Sequence, residues 1–569
     1  MKKRILALIS IALCGAMMLA ACGGGAESAP SSGSSESSAE SSAESKTEGE
    51  NQADAGPVTL KVWCVKEDTV EDVATNEYIK WLEAEANVNL EFEQASSAES
   101  LQKFNLSLAS GSYPDVYIGS CIQNMTGTLM SSALIKYGGA GILIPLNDLI
   151  ETYGTNTKQL FSDVPWVKDG VTMPDGNIYA LPTYSEIYHC KYSQKMWIDQ
   201  SWLDNLNLKM PATTDEYYET LKAFKEQDAN GNGDPNDEIP MAGCINAWHS
   251  DPSSFLMNAF IYDDDDKRLM VNDNNEVESI LDKDAYREGL KYINKLYSEG
   301  MIYSESFAQD GVQLKSLTSQ SPNIVGGFPV GAPMGVVDAS ADLYKTCVAV
   351  PPLKGPEGNQ TAGYYDYGNL RSGAYMITSA CENPEAAFKL ADFMYTEDSS
   401  IRLRQGVFGT DWRMAEEGEK TFDDKPAEFA RITPLVTSGE PQNNNWGNSG
   451  LFRETNDSFI GAWAVGKDFD IRSLDGIEQL LIEATWPYEG YEPEKTLPPV
   501  VFTDEESETV NSIEVEVRKY AAEQRVLFIT GQKNLDSDWD SYISDLQSLG
   551  LDTMVKSYNT AYQRQYANG

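Results

Sequence analysis

From Thr59 onward the apolar residues switch between two periods, and that switching limits the possible folds more than any other feature of the chain. Thr59-Leu60-Lys61-Val62-Trp63 alternates with period two. Tyr78, Trp81, Leu82 and Ala86 then recur at spacings of three and four. Val88-Asn89-Leu90-Glu91-Phe92 alternates again, Leu101, Phe104 and Leu108 return to helical spacing, and Ser112-Tyr113-Pro114-Asp115 turns into Val116-Tyr117-Ile118. Period two sets one face of a strand apart, and the longer period sets one stripe of a helix apart. The order β-α-β-α-β predicts an α/β fold, a parallel sheet with helices on its faces. About 510 residues follow Pro57, which is too many for one small core and predicts two domains or more.

The residues before Pro57 have a different character. Lys2, Lys3 and Arg4 precede an apolar run from Ile5 to Ala21, the pattern of a secretory signal. That run is shorter than the ~20 apolar residues that span hydrocarbon. Leu19-Ala20-Ala21-Cys22 stands immediately before Gly23-Gly24-Gly25 and resembles the bacterial lipoprotein signal. The resemblance implies residues 1–21 as a signal peptide, cleavage before Cys22, and a diacylglyceryl thioether on Cys22 as the membrane anchor. Residues 22–56 are rich in Ser and Glu, with nothing large and apolar to bury. They are expected to be a disordered tether with a reach of roughly 30 Å.

Formal charge is −44 over the chain, and −47 once Lys2, Lys3 and Arg4 are gone. Such a body repels nucleic acid and anionic lipid, so no nucleic-acid partner is expected. Apart from Cys14 and Cys22, the cysteines are Cys64, Cys121, Cys190, Cys244, Cys347 and Cys381. They are scattered and include no C-x-x-C, so a disulfide scaffold is not expected. The two histidines, His189 and His249, form no metal-ligand spacing, and neither a P-loop nor G-x-S-x-G occurs. Cys190 follows His189, but adjacent side chains usually diverge, which argues against a Cys–His dyad. Counting cannot remove a glycoside hydrolase, which needs only two carboxylates. An adhesin is a third class and predicts no closing cleft.

Later segments carry a resemblance along nearly the whole body. They include Ser112-Tyr113-Pro114-Asp115-Val116, Leu143-Ile144-Pro145-Leu146-Asn147-Asp148-Leu149, Asp175-Gly176-Asn177-Ile178-Tyr179-Ala180-Leu181-Pro182, and Met196-Trp197-Ile198-Asp199 with Trp202-Leu203-Asp204-Asn205-Leu206. Pro351-Pro352-Leu353-Lys354-Gly355-Pro356, Asn383-Pro384-Glu385-Ala386-Ala387 and the end from Phe528 to Tyr562 continue it. The ordered set resembles extracellular solute-binding proteins of ABC importers, family 1, in particular the LplA-like lipoproteins. The resemblance implies a two-lobe, periplasmic-binding-protein-like (Venus flytrap) α/β fold with crossing hinge segments. It places lobe 1 at 57–183 with about 335–420, and lobe 2 at 184–334 with about 421–569. It further implies a small-molecule solute, an oligosaccharide first and a peptide second, permease subunits of an ABC importer as partners, a location on the extracytoplasmic face of the membrane, and no catalysis.

One motif is sharp. Asp228, Asn230 and Asn232 stand at positions 1, 3 and 5 of a loop with Gly233 at position 6, the first half of an EF-hand-like Ca2+ loop. Position 12 is Ile239 rather than Glu, and Asp234, Asp237 and Glu238 are the remaining candidate ligands. An Asx-rich turn without an ion is the alternative. Thr213 and Glu216 have capping-box spacing before a Tyr217/Leu221/Phe224 stripe. The run Asp263-Asp264-Asp265-Asp266-Lys267-Arg268 reads as a solvated hairpin tip between 260–262 and 269–271. Sugars offer a C–H face to aromatic rings and hydroxyls to polar groups. The candidate ligand-binding residues are therefore Trp63, Trp248, His249, Tyr365, Asp411, Trp412, Arg413 and Trp446.

Overall fold

The computed structural model describes residues 56–120, 122, 125, 127–367, 370–433, 441–466, 469–473 and 476–566. The predicted signal peptide, Cys22 and tether lie outside the described residues, as does Cys121. The alternating periods become β1 (Val58–Lys66), α1 (Glu77–Ala86), β2 (Val88–Ser96), α2 (Ser100–Ser110) and β3 (Val116–Ile118). β1 pairs in parallel with β2 on one side and β3 on the other. Asn76 caps α1 by accepting from the Tyr78 N–H, and Asn87 ends it in the left-handed conformation with φ 52°, which asparagine tolerates.

Three further strands complete a six-stranded sheet, in the order 453–454, 181–185, 370–377, β3, β1, β2. Strand Leu370–Ile377 runs antiparallel to both its neighbours. One face buries Leu60, Val62, Val116 and Ile118. The other buries Trp63, Tyr117 and Met376. A second, three-stranded sheet has Met196–Asp199 at its centre, antiparallel to Gly327–Pro329 and to Cys347–Val350. Its core includes Tyr217, Leu221 and Phe224 from the helix Thr214–Glu226. The long helix Asp504–Ile529, closed at its start by a Thr503/Glu506 capping box, sends Val510, Val517 and Phe528 into the same core.

The chain therefore crosses between sheets at 186–195, 351–369 and 455–476. The structure departs from the expected boundaries at two places. Strand 347–350 belongs to the second sheet, and Val336, Val337 and Tyr344 pack with it. Trp446, Leu451 and Phe452 pack on the first sheet, which Arg453–Glu454 extends. Four apolar residues at 347–350 fit either sheet, and only the register with 196–199 decides between them.

Two local expectations also change. Thr213 Oγ1 accepts the Glu216 N–H at 3.1 Å, but Glu216 reaches back to the Ala212 N–H rather than that of Thr213. The strand Leu269–Val271 pairs with Val277–Ser279, so 263–268 is no hairpin tip. Asp263 is buried, Asp264 Oδ1 accepts the Arg268 N–H at 2.6 Å, and the Arg268 guanidinium lies 3.4 Å from Asp263 and 3.3 Å from Asp265. Acidic runs usually stay wet, but this one is folded inward by its own arginine. Among the described residues no helix is long and apolar enough to cross a membrane.

Candidate functional site

Three of the proposed aromatic platforms are packing residues. Trp63 is buried between Phe104 and Tyr117, each ring 5.8 Å away. Trp446 is buried against Tyr78 and Phe92. Trp412 lies beside Phe408, Phe429 and Trp463 and donates Nε1–H to the Gly406 carbonyl at 3.0 Å. Asp411 and Arg413 are also spent locally. The Asp411 carboxylate accepts from Val407 N, Asn444 Nδ2 and Thr433 Oγ1, and Arg413 pairs with Glu419 through two bonds of 2.8 Å.

Trp248, His249 and Tyr365 do come together. The His249 ring is 5.5 Å from Trp248 and 4.9 Å from Tyr365. Tyr365 arrives on the crossing 351–369, while Trp248 and His249 sit on a loop of the second lobe, with His249 at φ 53°. His249 Nε2 is 2.9 Å from Ser193 Oγ, and Nδ1 is 3.4 Å from both Asp265 Oδ2 and Tyr365 Oη. Trp248 is 45% exposed and lies over Gly331, where a Cβ would meet its ring at 2.3 Å. Only a glycine lets the indole lie this close to the backbone.

Below this ladder opens a cavity of about 430 Å³ whose walls include His249, Asp251, Asp265, Arg268, Arg518 and Arg525. Six of its charges are paired, Arg525 with Asp251 at 2.7 Å, Arg518 with Asp266 at 2.5 Å and Arg268 with Asp265 at 3.3 Å, and Lys519 also lines it. Burial raises the Asp265 carboxyl, but His249, Arg268 and Ser254 outweigh it and bring it down to about 2. Burial holds neighbouring Asp264 up at about 6. Arg525 keeps Nε and Nη1 buried without hydrogen-bond partners. The cavity thus presents fixed acceptors and donors with little net charge, which suits a ligand of many hydroxyls. Arg518 and Arg525 had not been singled out from the sequence. Their signal was a seven-residue spacing, with Ala522 between them, on one stripe of the long helix.

The acidic loop forms a separate cluster. Gly231 and Gly233 take φ 72° and 94°, so the chain turns sharply and successive Asx side chains bond the backbone two residues on. Asp228 Oδ2 accepts the Gly233 N–H, and the Asp237 carboxylate accepts the Asn230 and Asn232 amides at 3.3 and 2.7 Å. Glu238 Oε1 accepts the Ala229 N–H at 2.9 Å. Asp234 turns to Asn236 instead, and Ile239 is held in a bridge to Val325. Asp228 Oδ1 and Glu238 Oε2 are buried with no hydrogen-bond partner, and burial holds the Glu238 carboxyl above its ordinary range. Among the described residues no three His, Cys, Asp or Glu side chains converge on one point, so a cation here would also need the asparagine oxygens. Two orphaned carboxylate oxygens fit such an ion.

Two α/β lobes joined by three crossings define the class of two-lobe solute-binding proteins. Residues 66–400, more than half of the chain, match the bacterial extracellular solute-binding protein family, and the chain belongs to that family. Over 493 residues it is 28% identical to the fructooligosaccharide ABC transporter substrate-binding protein FusA of Streptococcus pneumoniae, covering 86% of each chain. It is 26% identical over 322 residues to the lipoprotein LipO of Bacillus subtilis, covering 55% of this chain and 59% of that one. The fold matches FusA in complex with kestose at a TM-score of 0.69 and 25% identity, over 90% of this chain and all of that one. It also matches an HMO-binding solute-binding protein of Bifidobacterium longum infantis at 0.73 and 22%, over 90% and 99%.

Proposed function

We propose that this chain is a lipid-anchored, extracytoplasmic receptor that captures an oligosaccharide at its second lobe, beside the crossings, and passes it intact to an ABC importer. The observation that carries the reading is the Trp248–His249–Tyr365 ladder beside the ion-paired cavity. Trp248 offers a flat apolar face for a sugar ring, and the paired Asp and Arg groups offer hydroxyl partners. The three crossings act as the hinge, and ligand shifts the population to the closed form. The sugar named for FusA supports the ligand class, and the likeness to LipO supports the anchor at Cys22.

Calcium belongs to the same reading. Asp228, Asn230, Asn232, Asp237 and Glu238 would hold the ion, which would supply positive charge to the two orphaned oxygens. That bonding would fix the loop where Ile239 joins the second lobe. A solved form of FusA carries an EF-hand mutation, which supports the assignment.

The test is titration with fructo-oligosaccharides, followed by tryptophan fluorescence and small-angle scattering. The expected result is saturable binding, a smaller radius of gyration and sugar recovered unchanged. Cleaved sugar would make the protein a hydrolase. Binding of peptides in place of every saccharide would keep the fold and reject the ligand.

A further inference from the structure

The first crossing holds a cluster that ligand capture does not use. Residues Tyr188–Tyr192 form a short, tight helix. Cys190 Sγ lies 3.7 Å from His189 Nδ1, so the divergence expected for adjacent side chains does not occur. His189 Nε2 is 2.7 Å from Glu478 Oε2 on the helix Ile477–Glu483. That carboxylate requires a proton on Nε2, which leaves Nδ1 as the acceptor facing the thiol. His189 is buried, whereas Cys190 is partly exposed. Lys195, fully buried, donates to the His189 and Tyr192 carbonyls from the same turn.

We propose that Cys190 is a reactive thiol at the hinge, activated by His189 and Glu478, and a site of mixed-disulfide formation with small disulfides. His189 Nδ1 takes the thiol proton, and the Cys190 sulfur attacks one sulfur of the disulfide. The new S–S bond forms as the old one breaks. The departing sulfur takes the electron pair and then the proton from His189. Cys190 is oxidised and the departing half is reduced, so no other reactant is required. Burial pushes Cys64 and Cys347 up to about 12 and Cys381 up to about 11. Those thiols lack an imidazole, and Cys64 and Cys347 also lack access.

The full-length protein is treated with 5,5′-dithiobis(2-nitrobenzoate), with release of the aryl thiolate followed by absorbance and the labelled cysteine identified by peptide mass. Cys190 is expected to react about tenfold faster than Cys381 at pH 7. Glu478→Gln and His189→Asn should each slow it and move the pH profile of labelling toward that of an unassisted thiol. Cys190→Ser should remove the fast phase. The proposal falls if Cys190 labels no faster than Cys381, or if Glu478→Gln, folded by circular dichroism, leaves both rate and pH profile unchanged.

Discussion

Lys195 is fully buried at the end of the first crossing, and replacing it with methionine should stabilise the protein in acid and destabilise it in base. Its ammonium donates to the carbonyls of His189 at 3.2 Å and Tyr192 at 2.5 Å, with the Tyr488 ring 5.6 Å away. Burial lowers it from 10.5 to about 7. Below pH 7 both folded and unfolded chains carry the charge, and folding bears the whole cost of burying it. Between pH 7 and 10.5 the folded chain has released the proton while the unfolded chain still holds it, so stability rises with pH. Above 10.5 the cost is gone. At about 1.4 kcal/mol per tenfold, that cost is about 5 kcal/mol. Methionine removes it but orphans two carbonyls, a loss of about 3 kcal/mol in total. Lys195→Met should therefore gain about 2 kcal/mol at pH 6 and lose about 2 kcal/mol at pH 10, where the unfolded lysine is still mostly charged. Urea midpoints of both proteins at pH 6, 8 and 10 measure this. A difference that does not change with pH would refute the reasoning.

Trp248→Ala should weaken oligosaccharide binding by about 1–3 kcal/mol by calorimetry with little change in melting temperature. Trp446→Ala should instead cost about 3–5 kcal/mol of stability, read from denaturant unfolding. Chelator should lower the melting temperature and calcium restore it, by an amount near 2.7 kcal/mol at one hundred times the dissociation constant. Asp228→Ala should abolish that response. Cys22→Ala should move the protein from the membrane to the soluble fraction, read by fractionation and by the lipid mass on the N-terminal peptide.

The first sheet could be read from the sequence because β1, β2 and β3 are local in the chain and each repeats a clear period. Strand 453–454 was not legible. Two residues carry no period, and their pairing with 181–185 is decided by packing across the whole lobe. Trp248, His249 and Tyr365, singled out as aromatics beside polar residues in loops, are brought together by the structure. The same signal misled at Trp412 and Trp446, since composition cannot tell a ring facing solvent from one facing Phe429 or Tyr78. The Asp263–Arg268 run was misread for a related reason. Charge implies water until a buried partner is found, and Arg268 supplies that partner from within the run.

The three crossings also set the order in which the molecule can fold. Strand 181–185 has no edge partner until 453–454 exists, and the second core remains open until Phe502, Val510, Tyr542 and Tyr558 arrive from the far end of the chain. At about 5–20 residues per second, a growing chain waits from half a minute to two minutes for those residues. Neither core is complete while the chain is emerging, and the distant pairings slow closure further. A polypeptide built this way stays threadable until synthesis is complete, which is the state that an export channel accepts.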